Sequence, residues 1–528
     1  MWDVISSSSK GRMMVAAEEI PIGTLLLLES PVAYVPNDCP PHSRISRYAH
    51  SRMEQSMLSA AYAATGEGFK GFAIILAARV IAASHDDPSV SQQIEKLCRN
   101  SFRHNHTVTT DIMASAQIVR RLLLGSISHN ECTLERCIEV LEKLECNAFT
   151  VVEQDLSSIT GIGLYTQAAA INHSCEPNCY QTFDSATLVI RASTKIKKGE
   201  EITIAYIDIG KSTWWRQNEL LLSYGFSCSC ARCCTIGFFD SYICQIPNCK
   251  GSLEIIEKDM YFSWIDSDPD EFINENQNYS IQQNIEKNRK LLSTIEIVVP
   301  HGDILFLNCS DFSELFSSFQ TTYSSTLSPS SSSSSLFSST STLISPSFKG
   351  REWKKKKERI EKKRRFRCNC CQNVVNFDVI IQKVLYILHH LKDIKKKQIQ
   401  GYKDGNQFKD CITNLLQIMK PSHQSVTELY RTYVLEDLIL DNNFHSYVKT
   451  VRTSNYLVNV ANSYPPGHPF PAIQEVMYSK CLLQICQSED DLTEARTYLQ
   501  HAIKILINTH GDESYLIKNI KDIMNGIS

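Results

Sequence analysis

Short apolar runs cut by turn residues open the chain. Met13 to Ala17 follow Gly11, the turn Pro21-Ile22-Gly23 comes next, and Leu25 to Leu28 run up to Glu29-Ser30-Pro31. Alternating apolar runs and turn residues predict strands over residues 11–35. From about 48 to 144 the period lengthens. Phe72, Ile75, Leu76, Val80 and Ile81 fall on one helical face, and charged positions interleave around Glu135 to Glu145. Strand character returns at Phe149 to Val152, Thr187 to Ala192 and Glu201 to Tyr206, with Lys197-Lys198-Gly199 predicted as a hairpin turn between the last two. Beyond residue 374 the three-and-four spacing of Phe377, Ile380, Ile381, Val384, Leu385, Leu388 and Leu391 predicts helix. Ala495, Tyr498, Leu499, Ala502, Ile503 and Leu506 predict another, stopped by Gly511. Such stripes are packing faces, and repeated pairs of them suggest a tetratricopeptide-like array.

Between these patterned regions lies one that cannot bury a core. Residues 317–347 are dominated by serine and threonine, and 351–365 hold ten basic and three acidic side chains. With so few apolar residues to offset ordering entropy, residues 310–365 are expected to be a disordered insertion. The basic run, beside the serine tract, is expected to be a solvated face rather than a nuclear-import or nucleic-acid patch, and a net charge of −3 argues against a globally basic coat. No apolar stretch approaches the roughly 20 residues of a membrane span. The serine-rich first ten residues offer no apolar signal core. The 20 cysteines are therefore expected in a reducing compartment, where clustering points to metal rather than disulfides.

Two cysteine groups stand out. Cys228-x-Cys230-x2-Cys233 supplies three thiolates where structural zinc takes four. Cys244-x4-Cys249 and Cys368-x2-Cys371 flank a stretch of 368 − 249 − 1 = 118 residues. They can form one ribbon, since closing a long loop costs only logarithmically more. One of Cys370 and Cys371 is then redundant.

The runs Asn147-Ala148-Phe149-Thr150, Gly161-Ile162-Gly163-Leu164-Tyr165, Asn172-His173-Ser174-Cys175-Glu176-Pro177-Asn178, Gly199-Glu200-Glu201-Ile202-Thr203-Ile204-Ala205-Tyr206 and Tyr224-Gly225-Phe226-Ser227-Cys228-Ser229-Cys230-Ala231-Arg232-Cys233 follow one another in order. The series resembles the SET-domain lysine methyltransferases, in the branch that carries SET and MYND modules. The resemblance covers roughly the first 235 residues, apart from the helical insertion. It implies an α+β fold with a β-rich SET core, a zinc-binding post-SET region and an α-helical, tetratricopeptide-like C-terminal domain. The boundaries expected are 1–38 and 146–227 for the core, 39–145 for the insertion and 228–250 for the zinc region. Residues 251–365 would loop out, 366–373 would complete the ribbon, and 374–528 would be helical.

The same resemblance implies S-adenosyl-L-methionine and Zn2+ as cofactors and a protein or peptide lysine as substrate, on histone or other protein. Tyr206 would be the catalytic-site tyrosine and Tyr224 would line the lysine channel. Lys10, Arg12, Asn147, Asn172, His173, Tyr206 and Phe226 would contact the cofactor. Cys175 would be the fourth ligand beside Cys228, Cys230 and Cys233, with Cys179 and Cys234 near enough to substitute; Cys244, Cys249, Cys368 and Cys371 would hold a second zinc. Two departures count against turnover. Met13 stands where the family's N-terminal loop has a second glycine, and no MYND finger fits between Val35 and Cys98, where Cys39 is alone. The competing expectation is a non-catalytic adaptor that binds peptide or chromatin through its helices. Either way the chain is expected to be a monomer of the cytoplasm and/or the nucleus, off membranes and without direct nucleic-acid binding.

Overall fold

The computed structural model describes residues 1–7, 10–36, 69–99, 110–124, 127, 132–211, 213–234, 242–255, 365–376, 405–421, 423, 426–427, 430–435 and 442–527. The expected helix at 377–391, the serine tract, Cys39 and nearly all of the basic run lie outside these residues. The chain divides into two compact units, one holding the described residues to 234 and from 421 on, the other those from 242 to 420.

In the first unit the strands are β1 (Trp2–Ser7), β2 (Gly11–Ala16), β3 (Leu25–Glu29), β4 (Ala33–Pro36), β5 (Ala148–Val152), β6 (Ile159–Leu164), β7 (Asn172–His173), β8 (Cys179–Asp184), β9 (Thr187–Ala192) and β10 (Thr203–Ile204). They form small sheets: β1-β2, β3-β9-β8, β4-β6-β5 and the parallel pair β10-β7. Alternation decides which face is buried. In β9, Leu188, Ile190 and Ala192 point inward and their neighbours outward, and they join Met14, Ile20, Phe149, Val151, Ile202 and Ile204 in one core. Gly161 lies in the middle strand of its sheet, facing Pro36 on one side and Val151 on the other. A Cβ there would collide with the Val35 carbonyl and the Tyr34 ring, so this strand position is closed to any side chain.

The expected hairpin at Lys197-Lys198-Gly199 does not form. Ile196 bridges Ile20, whereas Glu201 bridges Val15 and Thr203–Ile204 run parallel to Asn172–His173. The chain turns there, but each arm finds a different partner. Strand pairing beyond Glu201 is accordingly short, because Ile202 and Ile204 are buried among elements that arrive from elsewhere.

Helices 69–95 and 110–147 build a second layer. Phe69–Asp86 is apolar nearly all round and packs with Val119, Val140 and Leu144 of Thr110–Leu123 and Leu134–Asn147 around Leu76 and Val80. Among the described residues from 442 on, five helices follow: Phe444–Ser454, Tyr456–Ser463, Pro469–Ile485, Glu489–His510 and Tyr515–Gly526. The serines at 488 and 514 cap the last two by accepting from Asp491 and Ile517 amides, and Gly511 follows the helix it was expected to stop. His510 reaches across to the Gln154 carbonyl at 3.0 Å, and the Gln154 amide oxygen accepts from the Leu516 N–H. One residue thus ties the end of a helix and the start of the next to the β-rich core.

The second unit contains β11 (Tyr242–Ile243), β12 (Ser252–Ile255), β13 (Arg365–Cys368) and β14 (Val374–Asn376) in one antiparallel sheet of that order, beside the helix Gly405–Leu416. Chain segments on either side of the long insertion are therefore neighbours, with Leu253 opposite Cys368.

Burial holds His468 down to about 3 and His510 down to about 4, from the ordinary 6.5. Both stay neutral in the fold, so their stabilising contribution is complete above pH 6.5 and is lost as pH falls towards 4. Thermal midpoints should drop on acidification through that window. The substitution His510→Gln should flatten the dependence by about one proton, or about 1.4 kcal/mol per pH unit. Melting curves recorded between pH 7.5 and 4 measure both.

Candidate active site and metal centres

The site is built where β7 meets β10. Upstream, the Glu29 carboxylate is buried and accepts from the Gln167 and Ala168 amides, both at 2.9 Å, which pins the short 3-10 turn Ala168–Ala170 ahead of Asn172. Burial raises its pKa, although those amides favour the charged form. Downstream, Asn178 stitches the two runs together. Its amide nitrogen donates to the Glu201 carbonyl at 2.8 Å, and its oxygen accepts from the Thr203 N–H at 2.9 Å. Glu200 takes the outer role, accepting from the Lys197 N–H at 2.9 Å and closing the turn.

Cys175 leaves this crossing and meets the later cysteine loop. The helix Thr213–Glu219 runs into a wider turn, Leu220–Tyr224, which ends at Gly225 with φ +76°, a conformation suited to glycine. Gln217 then shapes the loop: its oxygen accepts from the Cys228 N–H and the Ser227 hydroxyl, each at 3.0 Å, and its nitrogen donates to the Cys228 carbonyl at 2.6 Å. The result gathers the sulfurs of Cys175, Cys228, Cys230 and Cys233 within 4.8 Å of one another. Tetrahedral zinc with Zn–S bonds of about 2.3 Å wants sulfurs about 3.8 Å apart; Cys233 and Cys175 are 3.5 Å apart. The donor set fits Zn2+.

The electrostatics fit as well. Hydrogen bonds among the four sulfurs push the Cys175 thiol up and the Cys230 thiol down, so a cation is needed for all four to ionise together. Four thiolates around one dication leave a charge of −2. Arg216, a guanidinium 1% exposed, stands 3.7 Å from Cys233 Sγ, and Arg232 donates to the Cys175 carbonyl at 3.3 Å. A second set, Cys244, Cys249, Cys368 and Cys371, also lies within 4.8 Å, its sulfurs pairing at 3.6 Å. Cys371 completes this set, while the Cys370 side chain lies against the Gly251 position. This tetrad closes the ribbon of the second unit across the 118-residue interval.

Beside the first metal set, four rings converge. Tyr206 lies 4.9 Å from Tyr224, 5.4 Å from His173 and 6.4 Å from Phe226, centroid to centroid. The Tyr206 hydroxyl donates to the Ile171 carbonyl at 2.6 Å, and the Tyr224 hydroxyl to the Tyr206 carbonyl at 3.2 Å. Burial pushes the Tyr206 phenol well above its ordinary value, so it remains a neutral hydroxyl. Burial likewise holds His173 down to about 3. Its Nδ1 accepts from the Tyr206 N–H at 2.9 Å, which places the ring proton on Nε2, 3.3 Å from Cys175 Sγ. His173 therefore connects a metal ligand to the backbone of Tyr206.

Asn172 Nδ2 donates to Glu201 at 2.9 Å, and Lys10 Nζ reaches the other Glu201 oxygen at 2.6 Å. Arg12 is half-buried on β2 and near enough for its charge to act on the Tyr206 phenol. Thus Lys10, Arg12, Asn172, His173, Tyr206, Tyr224 and Phe226 belong to one neighbourhood. Asn147 donates from its amide nitrogen to the Lys143 carbonyl at 2.6 Å and to the Cys98 carbonyl at 3.0 Å, and Cys98, with the adjacent Cys146, is near enough to act on the Tyr206 phenol. Glu201, Gln217 and Arg216 are not legible as site residues in the sequence: Glu201 is one of two adjacent glutamates, and Gln217 and Arg216 sit in a short helix with no spacing signal.

Residues 11–207 match the family model described as the SET domain. Curated proteins are similar over shorter segments. Histone-lysine N-methyltransferase ASHR1 of Arabidopsis thaliana is 37% identical over 129 residues, 23% of this chain and 27% of that protein. Histone-lysine N-methyltransferase SMYD3 of Homo sapiens is 39% identical over 97 residues, 18% of this chain and 22% of that protein. SET domain and MYND-type zinc finger protein 6 of Schizosaccharomyces pombe is 41% identical over 99 residues, 18% and 20% respectively. The matched segments thus take in about a quarter or less of each relative.

Elemental analysis of the purified chain should find about two zinc ions, one for each tetrad. Cys175→Ser should leave about one, because three thiolates cannot complete the first tetrahedron. Retention of both ions by that variant would remove Cys175 from the ligand set.

Proposed function

We propose, with the SET domain of residues 11–207 as premise, that this protein is an S-adenosylmethionine-dependent protein-lysine N-methyltransferase. The observation that carries the reading is the cluster of Tyr206, Tyr224, Phe226 and His173 rings fastened to a thiolate tetrad. The cofactor, when bound, supplies a sulfonium-activated methyl group. Lys10, Arg12, Asn172, His173 and Phe226 are the residues that would hold it, the aromatic ring against adenine and the polar groups at the amino-acid end.

The chain's own task is to present an uncharged amine. A lysine side chain has a pKa near 10.4 and must lose its proton first. Aromatic walls and a water-poor setting disfavour the ammonium form. The Tyr206 hydroxyl, kept neutral, can orient the amine without adding charge, and Tyr224 steadies the Tyr206 main chain through its carbonyl. Alignment of amine, methyl and leaving sulfur supplies the remaining acceleration.

The substrate class in this reading is a lysine on histone or other protein, in the cytoplasm and/or the nucleus, met by a monomer. The C-terminal helices, in the manner of tetratricopeptide pairs, would wall the peptide cleft. None of the helices is long and apolar enough to cross a membrane among the described residues. In the competing reading, a peptide-binding adaptor, the cofactor binds without transfer.

Transfer of radiolabelled methyl from S-adenosylmethionine to a lysine-peptide library separates the two. Tyr206→Phe should lower the rate roughly 100-fold through misalignment of the amine, with cofactor affinity, read by calorimetry, kept within a few-fold. An unchanged rate would remove Tyr206 from the mechanism.

A further inference from the structure

Glu201 occupies a junction. Its backbone bridges Val15, the parallel pairing with Asn172–His173 begins two residues on at Thr203, and Tyr206 follows five positions after Glu201. Its carboxylate is 16% exposed, and each oxygen has its own donor: Asn172 Nδ2 at 2.9 Å on one, Lys10 Nζ at 2.6 Å on the other. Neighbouring Glu200 is exposed and accepts from the Lys197 N–H and, at 3.4 Å, from Asn178 Nδ2, so the two adjacent acids have different partners.

The contact with Asn172 has a directional consequence. A side-chain amide has one donating end and one accepting end. Donation of one N–H from Nδ2 to Glu201 fixes which end of the amide is the donor and so sets the direction in which Oδ1 can accept. Lys10, with three donors and only one of them on Glu201, remains exposed, and half-buried Arg12 adds a second cation two residues on. Lys10 and Asn172 are thereby grouped on one carboxylate, and the charge of Arg12 reaches the same Tyr206 phenol as that of Glu201.

We infer that Glu201 is a positioning residue that makes this neighbourhood specific for a zwitterionic amino-acid end. Resting on the methyltransferase reading, the inference names the group that separates recognition of the cofactor's aminocarboxypropyl end from recognition of its nucleoside. Glu201 fixes the acceptor direction of Asn172 towards an ammonium and offsets one of the two cations that would draw a carboxylate. Without its charge the amide is free to flip, and the neighbourhood becomes a plain anion site.

The test compares ligands that share the nucleoside and differ at the amino-acid end. S-adenosylhomocysteine and 5′-methylthioadenosine are titrated calorimetrically into the full chain and into Glu201→Gln and Glu201→Asp, with melting temperature and zinc content followed for each. Glu201→Gln should weaken S-adenosylhomocysteine about tenfold or more, the scale of a charge-assisted hydrogen bond, and leave 5′-methylthioadenosine within about twofold. Glu201→Asp, which keeps the charge, should recover part of the loss. Equal weakening of both ligands would make Glu201 a purely structural brace and overturn the inference, as would no weakening of either. Failure of the unsubstituted chain to bind S-adenosylhomocysteine would instead sink the methyltransferase reading on which the inference stands.

Discussion

Four sulfur atoms hold the site together. Cys175 and Cys233 are 58 positions apart, yet their sulfurs lie 3.5 Å from each other. The tetrad they belong to fixes the loop that carries Phe226 against the crossing that carries Asn172 and His173. Few apolar side chains stand on that loop to do the same by burial, so metal binding substitutes for a local core. The charge this creates is answered within the protein. Arg216 is buried beside the sulfurs, and the Nε2 proton of His173 points at Cys175.

From the tetrad the constraint passes to the chemistry through one imidazole. His173 cannot rotate without breaking either its contact with Cys175 or its bond from the Tyr206 N–H. Tyr206 is further held by its hydroxyl on Ile171 and by Tyr224 on its carbonyl. An aromatic side chain at a strand end would ordinarily have rotameric freedom. Here the backbone N–H, the backbone carbonyl and the phenol each have a named partner, so the ring is held in one orientation.

Part of this was legible in the sequence because it is local or spaced. The alternation of Thr187 to Ala192, the stripe from Ala495 to Leu506 with Gly511 after it, and the Cys-x-Cys-x2-Cys spacing all carry their meaning within a few residues. The ordered runs then brought Cys175 and Tyr206 into view by resemblance. What stayed hidden depends on partners far along the chain. Lys197-Lys198-Gly199 has the composition of a hairpin turn, but Ile20 and Val15 compete for its two arms and win. Glu201 and Glu200 are indistinguishable as letters; only the long-range contacts of one with Lys10 and Asn172 separate them.

The same logic extends the site's supports to the C-terminal helices. Arg232, on the cysteine loop, donates to the Ser463 carbonyl at 2.7 Å, while the adjacent Tyr464 hydroxyl donates to Asp208 at 2.9 Å. Asp208 is buried two residues beyond Tyr206 and also accepts from the Gly210 N–H at 2.8 Å. One helix end therefore grips both the metal loop and the turn that follows Tyr206. Tyr464 also stacks on His468, which meets the Tyr180 ring of β8 edge-on. Displacing this corner would expose several aromatic faces and remove one of the donors to the Asp208 carboxylate, so these contacts join the helices to the β-rich core.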